Sequence, residues 1–179
     1  MDANVPDQNI RVFDCTTLRG HGGFVIGSYT AAWVQDCVVE DLLMNGTNIG
    51  IRQKTSQGGG GGGRRNLYRD IRMTSVVSQG IFLDSTYALP SGVTPATPGQ
   101  FSGNTYKNIS INASGDSIYI NAPNPPAHTN NTFINITGNK KATLKYCTNS
   151  SFTNVTVTGW TIGSGCSGNT SSGSPGCPF

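Results

Sequence analysis

Asn108-Ile109-Ser110-Ile111 and, six residues further on, Ser117-Ile118-Tyr119-Ile120 are the stretch on which the reading of the fold turns. Apolar and polar residues alternate in both, so on a strand the isoleucines share one face and the polar groups the other. The same pairing recurs along the chain. A polar residue before short apolar alternation returns as Asn9-Ile10-Arg11-Val12, Asp36-Cys37-Val38-Val39, Asp70-Ile71-Arg72-Met73, Asn135-Ile136-Thr137 and Asn154-Val155-Thr156-Val157. A second short run follows most of these: Phe24-Val25-Ile26, Asn48-Ile49-Gly50-Ile51, Gly80-Ile81-Phe82-Leu83 and Ala142-Thr143-Leu144. The first runs begin 27, 34, 38, 27 and 19 residues apart.

Short strands at such a period, without helices between them, predict a solenoid whose strands stack coil on coil. A sandwich would need tight hairpins, and Asn45-Gly46 is the one Asn-Gly or Asp-Gly pair, set in a loop too long for one. The expectation is all-β: a right-handed parallel β-helix of about six coils, with Ile26, Ile51, Leu83 and Ile120 inside. Residues 1–179 form one partial β-helix domain, of which 163–179 is an irregular tail. Recurrent Asn at the turns suits stacked amide ladders, which also gives the eight N-x-S/T sequons a structural origin.

Composition agrees. Glu40 is the one glutamate, and only 12% of the 179 residues are charged, yet Val, Ile, Leu and Phe recur too regularly for a disordered tail. Gly58 to Gly63 are six consecutive glycines followed by Arg64 and Arg65, which does not fit a phosphate loop, so a flexible surface loop is expected. Tyr87 to Gln100 reads as a loop containing Pro90, Pro95 and Pro98. No apolar run is long enough for a membrane span, and Met1-Asp2-Ala3-Asn4 is no signal peptide.

Six of the twelve basic residues (Arg52, Lys54, Arg64, Arg65, Arg69 and Arg72) lie within 21 positions. They read equally as a solvated face or as a surface for a polyanion, and an acidic polysaccharide fits better than nucleic acid because no nucleic-acid module is present. Among the five cysteines, Cys166 and Cys177 bracket a Gly/Ser/Pro spacer and are expected to be bridged. The pairing of Cys37 and Cys147 stays open.

Two motifs carry the functional reading. Gly20-His21-Gly22-Gly23-Phe24-Val25-Ile26-Gly27-Ser28 places a histidine between glycines, where backbone can approach a ligand closely. Ile51-Arg52-Gln53-Lys54-Thr55 sets two cations two residues apart, on one face of a strand, with Ile51 turned into the core. An Arg fork beside a Lys point charge suits a carboxylate or phosphate. With their spacing, these residues resemble the GHG and RxK motifs of glycoside hydrolase family 28, the polygalacturonases.

The resemblance implies that Arg52 and Lys54 hold the carboxylate of the galacturonate on the leaving-group side of the scissile bond. It implies that His21 supports the catalytic site without donating the proton, and that Tyr87 contacts substrate. It also implies that Cys15 pairs with a cysteine beside the catalytic aspartates and is unpaired here. The family's Asn-Thr-Asp and Asp-Asp motifs are missing from this sequence, and Glu40-Asp41 follows the His in the wrong order. These two are expected to be turn or surface groups, and none of the nine acids is given a catalytic role.

The reading is therefore a secreted, monomeric pectin-degrading hydrolase, present as a C-terminal portion inactive alone, with Met1 internal and the export signal upstream. The partner expected is polygalacturonate, with no metal, cofactor, nucleic acid or membrane. The alternatives are a non-catalytic acidic-polysaccharide-binding β-helix, an adhesive solenoid, and a pectate-lyase-like enzyme, which would need acidic clusters for calcium.

Overall fold

The computed structural model describes residues 5–89, 91–92, 97–123, 125 and 127–179. Every named strand pairing is parallel, and the chain is a parallel β-helix. A long sheet stacks Arg11–Leu18, Val38–Asn45, Leu67–Val76, Thr105–Ala113, Thr132–Gly138, Ser151–Thr156 and Thr170–Ser172. A middle sheet stacks Phe24–Ile26, Ile51–Ser56, Ile81–Tyr87, Ile118–Asn121, Ala142–Lys145 and Trp160–Ile162. The third face stacks Asp7–Gln8, Trp33–Gln35, Gly62–Arg64 and Gln100–Ser102, and separately His128–Thr129 on Cys147–Thr148. Pro90 and Pro95 of the expected loop lie outside the described residues.

Inward positions repeat from coil to coil, so like stacks on like. Tyr68, Tyr106, Phe133 and Phe152 form a column of parallel rings with centroids 5.0, 4.8 and 5.0 Å apart. Beside it runs the aliphatic column Leu42, Ile71, Ile109, Ile136 and Val155. Ile26, Ile51, Leu83 and Ile120 are buried as expected. Polar columns are satisfied in the same way. Asn66, Asn104 and Asn131 are buried, and each accepts the main-chain N–H of the preceding coil, from Cys37, Asn66 and Asn104, at 3.0 to 3.1 Å. On the outer face Asn108, Asn135 and Asn154 donate to Asp70, Asn108 and Asn135 at 2.9 to 3.1 Å.

The register corrects the phase of the repeat. Leu42 pairs with Cys15 and Ile71 with Leu42, so the equivalents of Asp70 and Asn108 are Asp14 and Asp41, not Asn9 and Asp36. Asn9 and Asp36 belong to a corner column five residues earlier. Both columns hold left-handed residues (Asp14 at φ 52°, Asp36 at 55°, Asp41 at 53°), which short polar side chains tolerate.

Three further expectations are corrected. Gly58 to Gly61 lie in a turn and loop as expected, but the end of the run does not: Gly62–Arg64 is a strand between Trp33–Gln35 and Gln100–Ser102. A Cβ on Gly62, at φ 125°, would lie 2.0 Å from the Gln100 carbonyl oxygen, so the coil spacing there admits only glycine. Cys166 and Cys177 are both free thiols. Burial pushes the Cys166 thiol up, against hydrogen bonding to the main chain at Cys147 and Tyr146, while Cys177 lies in a turn closed by its N–H on the Ser174 carbonyl. Glu40 lies within a strand with its side chain buried, not in a turn, while its neighbour Asp41 is exposed. Beyond Gly163, Thr170–Ser172 adds a strand to the long sheet, and Asn169 accepts the Ser150 N–H at 2.8 Å.

The two ends of the stack differ. Trp160, Phe179 and Cys177 pack against the last coils. At the first coil Val5, Ile10, Phe13, Leu18, Val25 and Tyr29 are exposed, and Arg11–Leu18 and Phe24–Ile26 are each paired along one edge only.

Candidate carboxylate-binding face

The candidate site occupies the outer face of the middle sheet and the turn that enters it. Gly20, at φ 82°, begins the turn, and Gly23 N–H donates to the Gly50 carbonyl at 2.9 Å. The glycines around His21 are explained by close approach. A Cβ on Gly22 would come within 2.5 Å of Val25 Cγ2 and 3.3 Å of Arg52 Cβ, and one on Gly23 would strike the Met44 sulfur. The turn therefore lies directly against the Arg52 stem, and Arg52 Nη1 donates to the His21 carbonyl at 3.3 Å. The His21 side chain is exposed.

Arg52 pairs in register with Val25 before it and Phe82 after it, and Lys54 with Asp84. Their neighbours Ile51, Gln53 and Thr55 are buried, so both cations face outward as alternation requires. Arg52 Nε is buried without a partner, a costly state for a charged donor until something accepts from it. Lys54 Nζ stands 4.3 Å from the ring centre of Tyr87. Arg52, Lys54 and Tyr87 are thus gathered on one face, with the His21 main chain against Arg52.

The other arginines of the basic run are dispersed. Arg64 lies over the Trp33 ring at 4.5 Å and donates to Gln35 at 2.8 Å. Arg65 grips Asp36 with two bonds of 2.8 and 2.7 Å. Arg69 and Arg11 clamp Glu40 on the long sheet, while Arg72 is exposed on that same sheet. The hydrogen bond from Arg11, with that from Arg69 and against the cost of burial, holds the Glu40 carboxyl below the usual carboxylate range. It stays ionised, which does not suit a proton donor.

Two features escape a reading of single motifs. Phe82 and Tyr119 follow Arg52 in the same outward column, their rings stacked with centroids 5.3 Å apart. Lys145 ends the column that begins with Lys54 and runs through Asp84 and Asn121. Asp84 Oδ1 accepts from Thr86 N–H and Oγ1, both at 2.7 Å. Among the described residues no group of three His, Cys, Asp or Glu could hold a metal ion.

Fold and site together define a β-helical protein with two outward cations side by side on one sheet. A family model described as glycosyl hydrolases family 28 matches residues 3–166, and the chain belongs to that family. It is similar to an exo-poly-alpha-D-galacturonosidase of Dickeya chrysanthemi, 28% identical over 110 residues, covering 59% of this chain and 18% of the relative. The solved family 28 exopolygalacturonase of Yersinia enterocolitica matches with a TM-score of 0.78 at 28% identity, over 93% of this chain and 31% of that one. The chain thus spans less than a third of either relative's length.

Proposed function

We propose that this chain forms the leaving-group-side part of a polygalacturonase, an enzyme that hydrolyses α-1,4 bonds between galacturonates in pectin with inversion. The outward placement of Arg52 and Lys54, two residues apart on one strand of the middle sheet, carries the reading. A galacturonate carboxylate would accept from the Arg52 guanidinium, with Lys54 as a second charge and Tyr87 bordering the same sugar. His21, one turn away, would support the reacting groups without donating the proton. The carboxyl pair that inversion needs, ~6.5–9.5 Å apart, would come from coils stacked on the exposed edge of Arg11–Leu18 and Phe24–Ile26. One such Asp would protonate the leaving oxygen and others would activate water. Export to the cell wall, where pectin lies, belongs to the same proposal.

The test uses the 179-residue chain. Calorimetry with short oligogalacturonates should show weak binding that high salt removes, since exposed charges are screened. Arg52→Ala should abolish it, and no reducing sugar should be released. Hydrolysis by the chain alone would place catalytic acids within it, and equal binding of neutral galactose oligomers would remove the carboxylate reading.

A further inference from the structure

Strict alternation would put Tyr87 on the wrong face. Along Ile81–Tyr87, Ile81, Leu83 and Ser85 are buried while Phe82, Asp84 and Thr86 are not, so an unbroken strand would turn Tyr87 into the core. The register shows what reverses this. Asp84 lies opposite Lys54 and Tyr87 opposite Ser56, so three steps on one strand match two on the other. Such a bulge re-aims the side chain that follows it. Tyr87 is exposed as a result, with Lys54 Nζ 4.3 Å from its ring centre.

The bulge is held from both sides. Outside, Asp84 Oδ1 accepts from the Thr86 N–H and Oγ1, both at 2.7 Å. Asn121 Nδ2, on the next coil, donates to Thr86 Oγ1 at 2.9 Å. Inside, the buried Ser85 hydroxyl stands 3.4 Å from His128 Nε2. The outer bonds also resolve a conflict of charge. Lys54 and Asp84 are in register on adjacent coils, where strands lie about 4.8 Å apart and a free carboxylate would pair with the ammonium. Among the described residues the two form no ion pair. Asp84 is committed to Thr86, and Lys54 to the Tyr87 ring.

We propose that Asp84, acting with Thr86 and Asn121, is a positioning residue for the carboxylate site. It braces the bulge that brings the Tyr87 ring to Lys54, and the same bonds keep its own charge from closing on the ammonium. This rests on the reading of Arg52 and Lys54 as a carboxylate site. Asp84 serves as a hydrogen-bond acceptor, so an amide oxygen in its place would hold the bulge and a methyl group would not.

Carbon–proton NMR of the 179-residue chain labelled at lysine tests the brace without any saccharide. The Lys54 ε-methylene, assigned with Lys54→Arg, should lie upfield of those of Lys107 and Lys140, and Tyr87→Ala should abolish that displacement. Asp84→Ala should abolish it too, whereas Asp84→Asn should keep it. Calorimetry with digalacturonate supplies the second readout. Both Asp84 variants lack the charge, so a difference between them reports position alone. Asp84→Ala should bind about two- to fivefold more weakly than Asp84→Asn, the size of one exposed cation–π contact. If the upfield signal survives in Asp84→Ala or is lost in Asp84→Asn, or the two variants bind alike, the brace is wrong, and binding by the intact chain leaves the Arg52 and Lys54 reading standing. If no form binds an acidic oligomer, that reading falls, and the positioning role with it.

Discussion

The ammonium of Lys54 stands over the ring of Tyr87, 4.3 Å from its centre, although 33 residues separate them in sequence. Ser56 and Tyr87 are in register, and an irregularity between Lys54 and Ser56 swings the two side chains together. Tyr87 thereby fixes a flexible four-carbon stem that would otherwise sample many rotamers.

Removing that ring should loosen the cation. A cation–π contact at an exposed site is worth about 0.5–1 kcal/mol, so Tyr87→Ala should weaken oligogalacturonate binding about two- to fivefold. Tyr87→Phe should retain most of the affinity. Titration calorimetry decides it: if Phe and Ala behave alike, the ring does not position Lys54 and the hydroxyl is the group that matters.

The glycine run should be intolerant where it is clamped between coils. Gly62→Ala combines φ 125° with an approach of 2.0 Å to the Gln100 oxygen and should cost several kcal/mol, on the order of the largest single-residue effects. Gly159→Ala meets nothing within 4 Å and should change stability by less than about 0.5 kcal/mol. Urea denaturation of both variants measures the contrast, and a stable Gly62→Ala protein would show that the third face is not packed as described.

Acid should weaken the fold through His128. Its ring is buried, its Nδ1 accepts the Phe101 N–H at 3.1 Å, and its Nε2–H faces the Asn121 carbonyl at 3.2 Å. Burial lowers its pKa to about 3, against an ordinary 6.5 in the unfolded chain. Between those values the unfolded state binds the extra proton, so stability falls as pH drops from about 6.5 towards 3, by an amount on the order of a few kcal/mol. Glu40 and Asp36, both lowered chiefly by their arginine hydrogen bonds, add losses as pH falls through the ordinary carboxylate values and below. His128→Gln should therefore flatten the decline between pH 6.5 and 4.5 in denaturant titrations. An unchanged slope there would mean that His128 does not drive it.

Much of this was legible in the sequence because stacking makes alternation visible. Ile109 and Ile111 announce an inward face, and Arg52 and Lys54 announce an outward pair, from parity alone. Phase was harder. Asn9 and Asp36 precede apolar residues just as Asp70 and Asn108 do, since corner and mid-strand both use left-handed Asn or Asp, and only register separates the columns. The glycine run misled for a related reason: glycines that leave a chain free in isolation are also what lets three backbones stack within one another's reach. The column that Lys145 shares with Lys54 stayed hidden because it advances through Asp84 and Asn121 by 30, 37 and 24 residues, and no fixed period finds it.

The difference between the two ends of the stack gives the molecule a direction of unravelling. A coil inside a solenoid is held from both sides, whereas a terminal coil is held from one. Trp160, Phe179 and Cys177 pack against the last coils, so in the 179-residue chain taken alone amide exchange and proteolysis should enter at Arg11–Leu18, and each coil lost exposes the next. The stacked column from Tyr68 to Phe152 begins behind that entry, in the third strand of the long sheet. Phe24 of the first coil packs edge-on against Tyr68 at 5.8 Å, and Leu42 of the coil that carries Arg52 and Lys54 starts the aliphatic column, so both coils are tied to the stack behind them. Coils stacked on Arg11–Leu18, as the proposed enzyme would have them, would hold the Arg52 and Lys54 face from both sides.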